Sequence, residues 1–222
     1  MTEYPFVPLE FTRLPLQETL DRAHAFYAEL NERRTTRHFS SESVPREAIE
    51  YAIRAAGTAP SGAHLQPWTF VAVSDPLLKA KIRDAAEREE YDFYHGRAPQ
   101  EWLDALAPLG TDEHKMHLTD APWVVVLFRQ AFGIGSNGDR RTYYYTQESC
   151  GIAAGFFIAA VHHMGLVTLT HTPNPMGFLG ELLDRPANER AMLVMPVGYP
   201  AAGARVPDLV RKPLSDISAW RE

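Results

Sequence analysis

Apolar positions first recur at helical intervals in LQETLDRAHAFYAELNERR, where Leu16, Leu20, Ala23, Phe26, Tyr27 and Leu30 line one face and predict an amphipathic helix. A second helix is predicted over VPREAIEYAIRAAG, with Pro45 in its first turn and Gly57 at its end. The period then changes. PWTFVAV is a β-branched and aromatic run bounded by Pro67 and by SDP, and it reads as a buried strand. Residues 76 to 94 resume helical spacing and carry a run of acids, and GRAPQEWLDALAPLG predicts a short helix between two breakers. PWVVVLF is a second strand. YYYTQESCGIAAGFFIAAVHHMG predicts a long helix, apolar nearly all round and rich in Ala and Gly, which belongs in the core or at a subunit interface. LVTLT and AMLVMPVGY are two further strands, with a helix around residues 177 to 184 between them. After Gly198 the Pro-rich tail YPAAGARVPDLVRKPLSDI has no apolar period of its own and is expected to wrap over another surface, such as a partner subunit. The pattern is α+β, with about four short strands, long helices and no internal repeat.

Composition narrows the classes of function. The 222 residues suffice for one large domain or two small ones, and 45% hydrophobic residues supply a core. A net charge of −6 argues against a nucleic-acid partner, which needs clustered cations on one face. Cys150 is the single cysteine, so no intrachain disulfide forms, and its apolar, small-residue surroundings read as a buried structural thiol rather than a nucleophile. MTEYPFVPLEF lacks a basic region followed by an apolar run, so no signal peptide is expected. The longest uncharged apolar stretch, CGIAAGFFIAAV, is shorter than the about 18 residues a membrane span needs. A soluble, cytoplasmic protein with no membrane partner is expected.

Candidate chemistry gathers in a few stretches. ERRTTRHF places Arg33, Arg34 and Arg37 beside the hydroxyls of Thr35 and Thr36. Guanidiniums so close repel unless an anion or acids lie among them, and a phosphate suits their planar forks. A solvated helix end paired with nearby Glu is the alternative, and Arg211 in VRKP shares that ambiguity. In APSGAHLQPWTF, Ser61 and Gly62 offer backbone amides that no side chain shields, as a nucleotide or flavin ring edge requires; a plain helix-to-strand loop is the alternative. No G-x-G-x-x-G follows a strand and no G-x-x-x-x-G-K-[ST] occurs, so neither a Rossmann dinucleotide site nor a P-loop is supported. His64, alone in a loop, is not read as a base. No metal site is expected: His162 and His163 point to different sides of a helix, and His114, His117 and Glu113 lack a further ligand in pattern. No G-x-S-x-G nucleophile appears. In EREEYDFY, Glu90 and Tyr94 share one helix face, which by itself is a solvated acidic face.

Taken together, RRTTRHF, AGTAPSGAHLQPWTFV, TDAPWVVVLF, GLVTLTHTP and MPVGYP...VPDLVRKPL, running from about residue 30 to 216, resemble the FMN-dependent nitroreductase superfamily, and within it the iodotyrosine deiodinase branch. The resemblance implies a single nitroreductase-like domain over residues 1–222, with a central mixed β-sheet flanked by helices. It implies a domain-swapped homodimer with FMN in clefts at the subunit interface, and a C-terminal extension, residues 199–222, wrapping the partner. By position, Arg33, Arg34, Thr35, Thr36, Arg37 and Arg211 would hold the FMN phosphate and ring edge, and Ser61 and Gly62 would bind the flavin. Thr170, His171 and Thr172 would run along the isoalloxazine, with the Thr172 hydroxyl at N5; His171 stands where a threonine is expected, a change that a backbone contact would survive.

An active-site lid, residues 88–118, is implied to carry Glu90, Tyr94 and, 21 residues beyond the Tyr, Lys115. A carboxylate pairs with a substrate ammonium, and a phenol with an ammonium side chain pairs with a substrate carboxylate, so this trio reads an amino-acid zwitterion. Trp102 lies in the same segment and is expected to pack over the substrate. The implied activity is reductive dehalogenation of iodo-, bromo- and chlorotyrosine to tyrosine and halide in one-electron flavin steps. Thr172 and the Ala63 backbone N–H are its catalytic groups, the latter donating to the substrate phenolate. Electrons come from NAD(P)H directly or through a reductase. The alternatives are a general NAD(P)H-dependent nitro or quinone reductase, a non-catalytic flavin-binding protein, and a flavin-destroying relative, which the trio argues against.

Overall fold

In the computed structural model, which describes residues 4–221, the apolar runs pair as one sheet. In chain order the strands are β1 (Trp68–Val73), β2 (Trp123–Gln130), β3 (Phe132–Ile134), β4 (Arg140–Thr142), β5 (Val167–Thr168) and β6 (Glu189–Gly198). The helices are α1 (Leu16–Glu32), α2 (Arg46–Gly57), α3 (Pro76–Asp92), α4 (Gln100–Leu106), α5 (His117–Asp120), α6 (Thr146–His163), α7 (Gly177–Leu182) and α8 (Leu214–Ile217). Residues up to Arg33 form one compact unit and residues from Arg34 onward another.

In the second unit the sheet order is β1-β2-β6-β5, with Val71 opposite Val126 and Val125 opposite Met195. Neighbouring strands run antiparallel, and a parallel bridge between Thr35 and Thr168 makes the sheet mixed at its β5 edge. β2 is central and covered on both faces, which is why Val124 to Phe128 read as an unbroken apolar run rather than an alternation. On one face α2 and α6 pack Ile49, Ala52, Phe157 and Val161 against Val125, Leu127 and Met195; Phe157 stacks on Phe70 at 5.6 Å. On the other, α3 and α7 place Ile82, Ala86 and Leu179 against Val124, Val126 and Phe128. This is the expected α+β arrangement, a mixed sheet flanked by helices on both faces.

Several elements follow the sequence closely. The side chain of Asp75 caps α3 by accepting from the Leu78 N–H at 2.7 Å, and Pro76 occupies the first turn. Cys150 is fully buried; its thiol donates to the Pro67 carbonyl at 3.3 Å, and burial pushes its pKa up to about 11, which leaves it an inert core group. No helix among the described residues is long and apolar enough to cross a membrane. In the first unit α1 forms as predicted, yet buries none of its side chains: Leu20, Phe26 and Tyr27 are exposed. α6 covers the core with one side and leaves Ile152 and Phe156 exposed on the other, and the tail leaves Val210, Leu214, Ile217 and Trp220 exposed.

The β3–β4 hairpin has no counterpart among the elements the sequence predicts. It is polar and has no apolar alternation to reveal it. It is held by Arg140 stacking over Phe132 at 4.1 Å and by Gly133, where a Cβ would come within 2.3 Å of the Tyr143 ring.

Candidate functional site

The last turn of α3 carries Glu90 toward a cavity of about 430 Å³. Beyond Asp92 the helix widens into a π turn over Phe93–Arg97, a local irregularity that often marks functional sites. Tyr94 faces the cavity from this turn, and its hydroxyl donates to the Thr111 carbonyl at 3.1 Å. The chain then passes through α4 and reverses at Gly110, whose φ of +59° favours glycine. It returns with Lys115, whose backbone N–H donates to Glu87 Oε1 at 2.7 Å. Lys115 Nζ lies 3.1 Å from Glu90 Oε2, donates to the Asp112 carbonyl, and stands 5.5 Å from the centre of the Tyr94 ring. The lid trio expected from the sequence therefore meets in one place. Its ion pair is well shielded, with side-chain exposures of 3% for Lys115 and 13% for Glu90.

The sequence did not reveal that Glu90 has a second partner: His171 Nε2–H donates to Glu90 Oε1 at 2.9 Å. Burial opposes ionisation of Glu90, but the His171 hydrogen bond and the Lys115 charge outweigh it and hold the carboxyl below its usual range. Burial lowers the His171 pKa against the opposing effect of Glu90, so its imidazole is neutral at neutral pH. An ionised carboxylate only accepts, so the imidazole proton sits on Nε2. Nδ1 is then a buried lone pair, and it has no hydrogen-bond partner among the described residues. The His117 ring meets His171 edge-on at 5.4 Å, also lines the cavity, and has a buried, unpartnered Nε2. Burial raises the Tyr94 pKa, so the phenol stays protonated and able to donate.

His117 makes a pH-dependent contribution to stability. Burial first, then the proximity of His171 and of the Lys115 and Arg37 cations, lowers its pKa from 6.5 to about 3. The unfolded chain takes up this proton below 6.5 while the folded chain does not until about 3, so stability is lost as pH falls through that window. Glu90, also depressed, adds a further loss below 4.5. We expect His117 to account for about 2 kcal/mol of the stability lost between about pH 7 and about pH 5, read as the difference in urea-denaturation pH slope between the unaltered protein and His117→Asn, the depressed His171 adding a loss of the same sign in both. Equal pH slopes in the two proteins would show that His117 plays no such part.

The remaining predicted residues divide between the cavity and elsewhere. Arg37 lines the cavity, with burial lowering its pKa, as do the exposed Thr170 and Thr172 on either side of buried His171. The His171 backbone exchanges 2.9 Å bonds with Val194 in both directions, so its imidazole is what it offers the cavity. The Thr36 N–H donates to the Thr168 carbonyl at 3.3 Å, and the Arg34 guanidinium donates to the Pro207 carbonyl, tying this segment to β5 and the tail. In the first unit the Arg33 N–H closes α1 on the Leu30 carbonyl. Arg211 is exposed in the tail.

Ser61, Gly62 and Ala63 do not line the cavity. The Gly62 N–H donates to Ser149 Oγ at 3.2 Å, and a Cβ at Gly62 would come within 2.9 Å of the Tyr144 carbonyl. Ala63 is exposed in the left-handed region with φ 49°, and the turn's internal bonds use the amides of His64 and Leu65, not its own. The polar lining fits an FMN: Arg37 is a guanidinium already stripped of part of its water, with the Thr170 and Thr172 hydroxyls and the accepting His171 Nδ1 along the same wall.

Comparison with known proteins places the chain in a family. The model of the Nitroreductase family matches residues 30–199. The chain is 54% identical over 207 residues to an iodotyrosine deiodinase of Haliscomenobacter hydrossis, covering 93% of each protein. It is 45% identical to one from Hydra vulgaris over 96% of this chain and 78% of the other. Its fold matches a crystal structure of oxidized iodotyrosine deiodinase bound to FMN and 3-iodo-L-tyrosine with a TM-score of 0.74 and 28% identity, over 88% of this chain and 100% of that one.

Proposed function

The chain belongs to the nitroreductase family, and from that premise we propose that it removes halogen reductively from halotyrosines, yielding tyrosine and halide. It is an FMN-dependent oxidoreductase. The observation that carries the proposal is the meeting of Glu90, Tyr94 and Lys115 in one cavity with Thr170, His171 and Thr172. A nitroarene or quinone has no charged head group to use these side chains. The zwitterion of an amino acid does.

FMN, when bound, would supply the reducing equivalents one electron at a time; in the net reaction the ring carbon gains two electrons and a proton as halide leaves. Arg34, Thr35, Thr36, Arg37, Thr170, His171 and Thr172 would hold the cofactor, with Arg33, Ser61, Gly62 and Arg211 completing its site. Glu90 takes the substrate ammonium, and Lys115 with the protonated Tyr94 phenol takes the carboxylate. An ortho halogen makes the substrate phenol easier to ionise, and the Ala63 N–H donates to the resulting phenolate. Trp102, which meets Phe93 edge-on at 4.9 Å beside the cavity, closes over the ring and excludes water.

The apolar side chains left exposed on α1, on α6 and along the tail support a homodimer, in which a partner brings its own Ser61–Ala63 turn to the cavity. The single buried thiol and the reductive chemistry suit the cytoplasm, where NAD(P)H or a reductase is the external electron donor.

The test is anaerobic mixing of the reduced holoprotein with 3-iodo-L-tyrosine while flavin absorbance and free iodide are followed. Flavin oxidation with stoichiometric iodide and tyrosine is the expected result. No reoxidation by iodotyrosine beside rapid reoxidation by a nitroarene would overturn the proposal in favour of a general nitroreductase.

A further inference from the structure

Glu90 is held from two sides by groups of different origin. Lys115 reaches Oε2 from within the lid, at 3.1 Å. His171 reaches Oε1 from the sheet, at 2.9 Å. The two contacts differ in what anchors them. Lys115 is on the returning limb of the lid segment, held by the Asp112 carbonyl and, at 3.5 Å, the Thr111 hydroxyl. His171 is clamped through its backbone to Val194 of the buried strand β6, and its ring rests against the edge of His117. We propose that His171 is the positioning residue for Glu90, and through it a specificity determinant for the substrate's amino group; this rests on the zwitterion-binding function proposed above.

Glu90 and Lys115 already form an ion pair, so an entering zwitterion must replace that pair with two new ones. Lys115 Nζ turns to the substrate carboxylate, and the substrate ammonium takes its place on Oε2. Throughout the exchange Oε1 stays on the His171 N–H, so the carboxylate keeps its direction while one ammonium succeeds another. A neutral imidazole suits this task, because it orients the carboxylate without competing for its charge. A second cation there would neutralise Glu90 and remove the reason for an ammonium to bind. A threonine, shorter than histidine, would leave Oε1 without this strut.

The test compares His171→Ala and His171→Gln with the unaltered FMN-loaded protein. The ligands are 3-iodo-L-tyrosine, 3-iodotyramine, which lacks the carboxylate, and 3-(4-hydroxy-3-iodophenyl)propanoate, which lacks the amine. His171→Ala is expected to weaken both amines about tenfold and the propanoate less than about twofold, and the Gln amide N–H is expected to restore most of the loss. Equal weakening of all three ligands would mark His171 as merely structural and overturn the inference, as would unchanged amine binding in His171→Ala.

A second measurement needs no halotyrosine. Nitrogen-15 shifts of the His171 ring at about pH 7 should report a neutral, Nε2-protonated imidazole that changes in Glu90→Ala. An Nδ1-protonated or doubly protonated ring overturns the strut whatever the substrate. If the unaltered protein binds none of the three ligands while the tautomer is as expected, the dehalogenase function and the specificity role fall and the positioning of Glu90 stands.

Discussion

Lys115→Ala is expected to weaken 3-iodo-L-tyrosine binding by about a hundredfold or more while the protein keeps its flavin. The side chain is 3% exposed and lies within reach of the Glu90 carboxylate, the Tyr94 ring and the Asp112 carbonyl. Truncation does two things in the same direction. On the function proposed, it removes the cation that would meet the substrate carboxylate, and it leaves the shielded Glu90 with only His171. Removing one partner of a buried charge pair costs about 2–5 kcal/mol, and a loss of about 3 kcal/mol corresponds to the expected change in Kd. Arg34, Thr35 and Thr36 sit on β5 and the tail rather than on Lys115, so the flavin absorbance bound per protomer should not change. Quenching of flavin fluorescence by added iodotyrosine measures the affinity. Lys115→Met, which keeps much of the stem, separates loss of charge from loss of packing. Wild-type affinity in either variant would remove the zwitterion clasp from the account of this protein.

What the sequence made legible was local. β1, β2 and β6 announce themselves as apolar runs bounded by Pro67, Pro122 and turn residues, and α2, α3 and α6 by their spacing and their starts and ends. Glu90 and Tyr94 are four apart, so a shared face needed only a helix. Lys115 entered through family resemblance alone, because it joins them only after the chain has passed the π turn, α4 and the reversal at Gly110. His171 and Glu90 are 81 residues apart, and no local period can announce such a pair. His117, weighed only as a metal ligand beside His114 and Glu113, is instead a buried neutral ring on the cavity wall. The acidic run divides in the same way: Glu87 pairs with Arg83 at 2.7 Å and Glu89 with Arg97 at 3.0 Å, while Glu90 alone of the three lines the cavity. A charge pattern shows that a face is polar, and only the fold shows which member of it is turned inward.

Thr172→Ala is expected to separate binding from chemistry. Thr172 is exposed on the cavity wall beside His171, and the two bonds between His171 and Val194 tie its position to the buried sheet. Its backbone is anchored beside the sheet, and we assign its hydroxyl to flavin N5, where a hydrogen bond would favour electrons leaving singly over hydride transfer. Loss of one such donor typically lowers a rate about 10²- to 10³-fold. We expect the rate of iodide release to fall by about 10²-fold while iodotyrosine affinity stays within about threefold, because Glu90, Tyr94 and Lys115 are untouched. Reduction of a nitroarene, which can proceed by hydride transfer, should be spared or raised. Thr172→Ser, which keeps the hydroxyl, should recover most of the lost dehalogenation. If both reactions slow together, the hydroxyl serves the flavin in general and does not choose between electron and hydride. If dehalogenation is undiminished, the selectivity for single electrons lies elsewhere in the site. Only the split outcome, with binding intact, ties carbon–halogen cleavage to this one side chain.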